Sequence, residues 1–121
     1  MKPIAMRYCC VCDQAEALAG VFDRLGMARR TMEDAGLPPG DGFQGAIFEV
    51  GNGWIELWPT GEGMPAGTML QLVVGQADSV AAAARATGLA PTGPMDAHGE
   101  RIYFLDAPGL QLSFQSALAP G

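Results

Sequence analysis

The stretch Gly51-Asn52-Gly53-Trp54-Ile55-Glu56-Leu57-Trp58-Pro59 carries a turn followed by a strand with two unlike faces. Gly51-Asn52-Gly53 suits a tight hairpin turn, because Gly and Asn tolerate the positive φ such turns need. From Trp54 to Trp58 the residues alternate, so Ile55 and Leu57 point one way and Trp54, Glu56 and Trp58 the other. Two aliphatic side chains fit a face covered by a helix. Two indoles around one carboxylate do not make an ordinary solvent face; they read as the wall of a ligand cavity. A half-exposed strand with two partly buried tryptophans and a surface acid is the plainer alternative.

A second copy of the pattern stands near the C-terminus. Gly109-Leu110-Gln111-Leu112-Ser113-Phe114 repeats it, with Ser113 in the place of Glu56. Each copy follows a strand and a turn: Ala46–Val50 before the first, Arg101–Leu105 and the turn Asp106–Gly109 before the second. Working outward, Pro3–Cys12 reads as a strand leading into a helix that begins at Asp13, with Glu16 three residues on as a capping-box partner. Leu18, Val21, Phe22 and Leu25 have the spacing of a buried helical stripe, which Gly26 ends. Met27–Met32 reads as a strand. Glu33–Gly42 reads as a long Gly/Pro loop, either a lid over a site or a surface insertion. Thr60–Gly67 is the linker between halves, and Thr68–Val74 is the next strand. Val80, Ala83, Ala84 and Thr87 form a second helical stripe closed by Gly88, and Leu89–Met95 is a strand. Each half therefore reads strand, helix, strand, strand, strand, with the first module in residues 1–60 and the second in 67–116. An internal repeat of this kind weighs more on the fold than any single motif.

At 121 residues the chain fits a single domain, and 49% hydrophobic content suffices for a proper core. No apolar run approaches the ~20 residues of a membrane span. Met1–Met6 lacks the apolar segment of a signal peptide, so a cytoplasmic location is expected. A net charge of −6 argues against nucleic acid, whose phosphates require basic protein surface. Cys9, Cys10 and Cys12 formally contain C-x-x-C, but within a strand Cys9 and Cys12 would lie ~10 Å apart on opposite faces. Free thiols are expected. His98, the only histidine, falls in a Gly-containing turn and reads as a solvent-exposed turn residue.

The doubled unit, the x-Glu-Leu end of the strand at Ile55-Glu56-Leu57 and the Asp106-Ala107-Pro108-Gly109 turn resemble the vicinal oxygen chelate superfamily. Its members include glyoxalase I, the extradiol dioxygenases and the bleomycin and fosfomycin resistance proteins. The resemblance covers nearly the whole chain. It implies an α+β fold of two βαβββ modules, with a mixed sheet curved around a cup, often completed in a homodimer. In metal-dependent members, His and Glu from the first, fourth, fifth and eighth strands hold a divalent ion in that cup. The repeat register carries those places onto Met6, Glu56, Met69 and Ser113. Of these only Glu56 is a donor such ions favour, since thioether is soft and a hydroxyl is weak. No metal and no other cofactor is therefore expected.

Alternation assigns the cup a lining of Met6, Tyr8, Cys10, Trp54, Glu56, Trp58, Met69, Gln71, Gln111 and Ser113. Flat aromatic and thioether surface with a few polar groups suits a small planar or amphipathic organic ligand, and a cationic one is able to sit over an indole near Glu56. The first expectation is a metal-free binding protein for resistance, sequestration or sensing. The second is a glyoxalase-like lyase or isomerase with Glu56 as general base and Tyr8 or Arg101 stabilising enolate charge; against it stands Glu56 simply ion-paired to Arg7, Arg29 or Arg101. The third is a metal-dependent enzyme that joins His98 of one subunit to Glu56 of the other.

Overall fold

The computed structural model describes residues 1–31, 34, 40 and 42–118. The chain is α+β, with seven strands and two helices among the described residues: β1 (Ala5–Val11), α1 (Ala15–Arg24), β2 (Ala46–Val50), β3 (Gly53–Trp58), β4 (Gly67–Val73), α2 (Ala77–Ala86), β5 (Thr92–Ala97), β6 (Glu100–Ala107) and β7 (Leu110–Ala117). It divides into two compact units, one of Arg7–Thr68 and the other of Met1–Met6 with the chain from Met69 onward. No helix among the described residues is long and apolar enough to cross a membrane.

In the Arg7–Thr68 unit the strand order is β2-β3-β1. β2 and β3 form the expected hairpin, in register from Ala46–Leu57 to Val50–Gly53. β1 lies parallel to β3, with Arg7 beside Trp54, Cys9 beside Glu56 and Val11 beside Trp58. Phe48 and Leu57 are buried against Ala15 and Ala19 of α1, with Leu18, Phe22, Cys10, Cys12 and Ile55 packed around them. Phe22 meets Phe48 edge-on, ring centroids 5.3 Å apart, a geometry that sets the positive ring edge against the negative face.

Three expectations for this unit need correction. The stripe on α1 is built on Ala15 and Ala19, both fully buried, while Val21 and Leu25 are 40% and 70% exposed. Small alanines let the helix axis come close to the sheet, so the apolar face is rotated from the one marked by the largest side chains. Asp13 does not cap α1: Gln14 is the N-cap residue and makes no side-chain cap bond, whereas the Asp13 carboxylate accepts from the Thr60 hydroxyl. The strand expected at Met27–Met32 is reduced to one bridge, Arg29 to Phe48, flanked by Arg30 N–H to Ile47 C=O at 2.8 Å and Glu49 N–H to Ala28 C=O at 3.0 Å. Met32 and nearly all of the Glu33–Gly42 loop lie outside the described residues.

In the second unit the order is β4-β7-β6-β5. β4 runs parallel to β7, with Gln71 beside Ser113, and β7 runs antiparallel to β6. Val74, Ala77, Ala81, Tyr103 and Phe114 form the core beneath α2. Tyr103 and Phe114 stack at 5.4 Å. α2 is also capped from a distance: the buried Ser116 hydroxyl accepts the Ala77 N–H at 2.8 Å, satisfying one of the donors every helix start leaves free. β5 begins at Thr92, three residues later than expected, and ends at Ala97; the turn that follows holds His98, exposed and at φ 53°.

Candidate functional site

The parallel register of β1 and β3 settles which side chains share a face. In such a pair, residues side by side point the same way. Arg7, Cys9 and Val11 thus join Trp54, Glu56 and Trp58, and Ile47 and Glu49 join them from β2. Tyr8 and Cys10 stand beside Ile55 and Leu57 on the side that α1 covers. Met6, two residues before Tyr8, follows the same alternation.

Glu56 is the hub of this face. Its Oε2 accepts the Trp54 indole N–H at 2.6 Å and its Oε1 the Trp58 indole N–H at 2.9 Å. The Cys9 thiol also hydrogen-bonds to Glu56. A carboxylate offers about four lone-pair sites, so three donors use most of its capacity. Burial first, and then the Glu56 charge, push the Cys9 thiol up to about 12. The thiol therefore keeps its proton, which it gives to the hydrogen bond. Trp54 has two guanidinium neighbours, Arg7 with Cζ 3.7 Å and Arg30 with Cζ 4.4 Å from the ring centroid. Arg30 Nε also donates to Glu49. Trp58 is seated by a glycine: a Cβ on Gly45, whose φ is 142°, would fall 2.3 Å from the indole Cε3. Only a residue without a side chain lets the ring lie there.

Two further arginines are held in ion pairs, while Arg24 and Arg85 donate to the backbone carbonyls of Gly20 and Pro91. Arg29 pairs with Asp23 at 2.6 Å. Arg101 bridges Asp78 at 2.9 Å and Asp96 at 3.0 Å. Hydrogen bonds from Tyr103 and Arg101 to Asp78, and from Arg101 to Asp96, hold both carboxyls below their ordinary value. Arg101 is thus engaged by two acids, and Tyr8 is 41% exposed on the α1 side of its sheet, opposite Glu56. The Asp78–Arg101 pair lines a hollow of about 580 Å³ with Ser116 and the first residues of α2. The charged groups of that hollow are bonded to one another. The Trp54–Glu56–Trp58 face weighs more as a candidate, since its rings are fixed by hydrogen bonds and only partly buried.

On the second unit's strands, Met69, Gln71, Gln111 and Ser113 share one face by alternation and by the Gln71–Ser113 register. Ser113 is 1% exposed and donates to Gln115 Oε1 at 2.7 Å. Gln115 Nε2 reaches Glu100 at 3.4 Å. Gln71 Oε1 is buried without a hydrogen bond among the described residues, and Gln111 is exposed.

Of the sequence-assigned lining, the structure therefore keeps Trp54, Glu56 and Trp58 together and puts Tyr8 and Cys10 on the opposite face. It adds Arg7, Cys9 and Arg30. Arg7 and Cys9 were legible as a set with Val11; which face of β3 that set joins depends on a long-range register that no local signal carries.

Of the four places that the resemblance gives to a divalent ion, Glu56 accepts two indole N–H groups and Ser113 donates to Gln115. Among the described residues no group of three His, Cys, Asp or Glu side chains is placed to hold a metal.

No protein-family profile matches the chain, and no curated protein does. Solved structures do. The hypothetical protein BH1468 from Bacillus halodurans C-125 superposes with a TM-score of 0.67 at 15% identity, over 95% of this chain and 94% of that one. Methylmalonyl-CoA epimerase from Mycobacterium tuberculosis gives 0.62 at 18%, over 94% and 86%. A glyoxalase/bleomycin resistance protein/dioxygenase superfamily member from Vibrio splendidus 12B01 gives 0.62 at 11%, over 93% and 97%. At these identities the likeness is one of fold, and it matches the architecture read from the repeat: the chain has the glyoxalase/bleomycin resistance/dioxygenase fold.

Proposed function

We propose that this chain binds a small planar organic molecule against the Trp54–Glu56–Trp58 face and holds it without transforming it. One observation carries the reading: a single carboxylate accepts both indole N–H groups. That arrangement fixes two large aromatic surfaces in advance, so little rotamer entropy remains to be lost when a flat ligand docks. The same bonds argue against Glu56 as a general base. Taking up a proton would cost it an indole partner, and a base must be able to accept one within reach of the substrate. A lyase or isomerase reading through Glu56, and a metal-dependent one joining Glu56 to the exposed His98 of a second subunit, find no comparable support. The resemblance adds a cytoplasmic homodimer to the proposal, which light scattering of the purified protein would check.

Trp54 and Trp58 are the only two tryptophans, so intrinsic fluorescence reports on this face alone. Titration with a panel of planar heteroaromatic compounds is expected to give saturable quenching or a spectral shift with some of them, and Trp58→Leu to remove part of the response. A panel of flat compounds that leaves both indoles unchanged throughout would overturn the proposal, and turnover that Glu56→Gln abolishes would replace it with the base reading.

A further inference from the structure

Cys10 and Cys12 take no part in the Glu56 face, and they meet each other instead. Residues two apart along an extended chain point to one side, and here that side is the one α1 covers. Both thiols pack against the cluster of Ala15, Ala19, Phe48 and Leu57. Their side chains are hydrogen-bonded to one another. Both are free and only partly buried. Cys9 stands on the opposite face, beside Glu56. We infer that Cys10 and Cys12 form a site for a soft monovalent cation, copper(I), held between their two sulfurs. The site lies apart from the tryptophans and does not depend on a ligand binding there.

The number and kind of donors choose the ion. Thiolate sulfur is soft and selects copper(I) over harder ions. Zinc also accepts thiolate, but a structural zinc site closes with four ligands. Among the described residues no group of three His, Cys, Asp or Glu side chains is placed to supply them. Copper(I) has a filled d shell and is satisfied by two sulfurs in line. Binding exchanges two S–H bonds for two S–Cu bonds, and both protons leave to solvent. The ion stays copper(I) throughout, so no oxidant or reductant is consumed. The complex carries one net negative charge. α1 begins three residues beyond Cys12, whose C=O accepts the Ala15 N–H at 3.2 Å, and the positive end of the helix offsets that charge. The apolar packing around the pair limits the water that would compete for the ion.

Copper(I) added anaerobically to the reduced full chain, in competition with the chromophoric chelator bicinchoninate, tests this. The expected result is one copper(I) retained per chain, while zinc(II) added in its place is lost on gel filtration. Cys10→Ser and Cys12→Ser should each lower the affinity about 100-fold or more, beyond what loss of an outer-shell partner costs. Alkylation by iodoacetamide, read residue by residue by mass spectrometry, uses the wild type alone, so poor folding of a serine variant does not blunt the test. Copper(I) should protect Cys10 and Cys12 and leave the rate at Cys9 unchanged. Loss of all copper to the chelator, zinc retained as firmly as copper, or protection that falls on Cys9 as strongly as on the pair overturns the assignment.

Discussion

The two units build the same backbone device and furnish it differently. In each, a parallel strand pair sets two residues side by side beneath a helix-covered sheet: Cys9 and Glu56 in one, Gln71 and Ser113 in the other. Around Glu56 the neighbours are two indoles, a thiol and, over Trp54, two guanidinium groups. Around Ser113 they are amides: its hydroxyl donates to Gln115, and Gln115 reaches Glu100. The first position is a carboxylate with aromatic walls; the second is a buried hydroxyl that reaches a carboxylate only through an amide. The repeat thus preserves position while separating chemistry, and the face proposed to bind a ligand belongs to one unit alone.

Several experiments press on that contrast, in descending order of expected effect. Phe48→Ala should cost about 3–5 kcal/mol in urea unfolding, because the ring is fully buried and its removal leaves a cavity. Phe114→Ala, at 5% exposure, should fall in the same range, showing that the two cores are built alike. A loss below 1 kcal/mol for Phe114→Ala would break the equivalence. At the paired positions the costs should diverge. Glu56→Ala strips three donors of their acceptor and should cost roughly 2–3 kcal/mol, whereas Ser113→Ala removes one hydrogen bond and should cost about 1 kcal/mol. Equal losses would mean that the Glu56 cluster is no more cooperative than the Ser113 chain. Glu56→Gln should also lower the Cys9 pKa from about 12 and speed its reaction with a thiol reagent at pH 9.

Gly45→Ala should cost about 1–3 kcal/mol through overpacking and shift the Trp58 emission, since the added carbon would meet the indole. The smallest effect concerns acid. Asp78 and Asp96 lie below their ordinary carboxyl value of 3.8, held there chiefly by hydrogen bonds from Tyr103 and Arg101. The unfolded chain takes up protons first as pH falls, so the stability these pairs add is complete at neutral pH and is lost below pH 4, through the depressed values. Melting curves from pH 6 to 2.5 should show the wild type losing slightly more than Asp78→Asn, and high salt should narrow the gap.

Much of the fold was legible because its signals are local or repeated. The Gly51–Gly53 turn, the alternation of Trp54–Trp58 and the second copy at Gly109–Phe114 give the hairpins and the doubled unit. What the sequence concealed was relational. Alternation sorts Arg7, Cys9 and Val11 from Tyr8 and Cys10, but it is silent on which set joins the tryptophans. The answer lies in a pairing about fifty residues long, Cys9 to Glu56, and a shift of one residue exchanges the faces. Helix faces were obscured for a related reason: the eye follows Leu and Val, while close packing against a sheet favours the alanines at 15, 19, 77 and 81. Long-range caps and clamps, such as Ser116 on Ala77 or Arg101 between Asp78 and Asp96, leave no spacing to read.

The outermost strand of the second unit has a consequence for self-association. β5 pairs with β6 alone, and its ladder skips between Thr92 and Met95, where Gly93 has a φ of 124° and Pro94 has no N–H to offer. A margin with a kink and a missing donor is a poor template for recruiting a strand from another molecule. Fibre growth along that border is discouraged by the backbone itself, whatever the concentration of the protein.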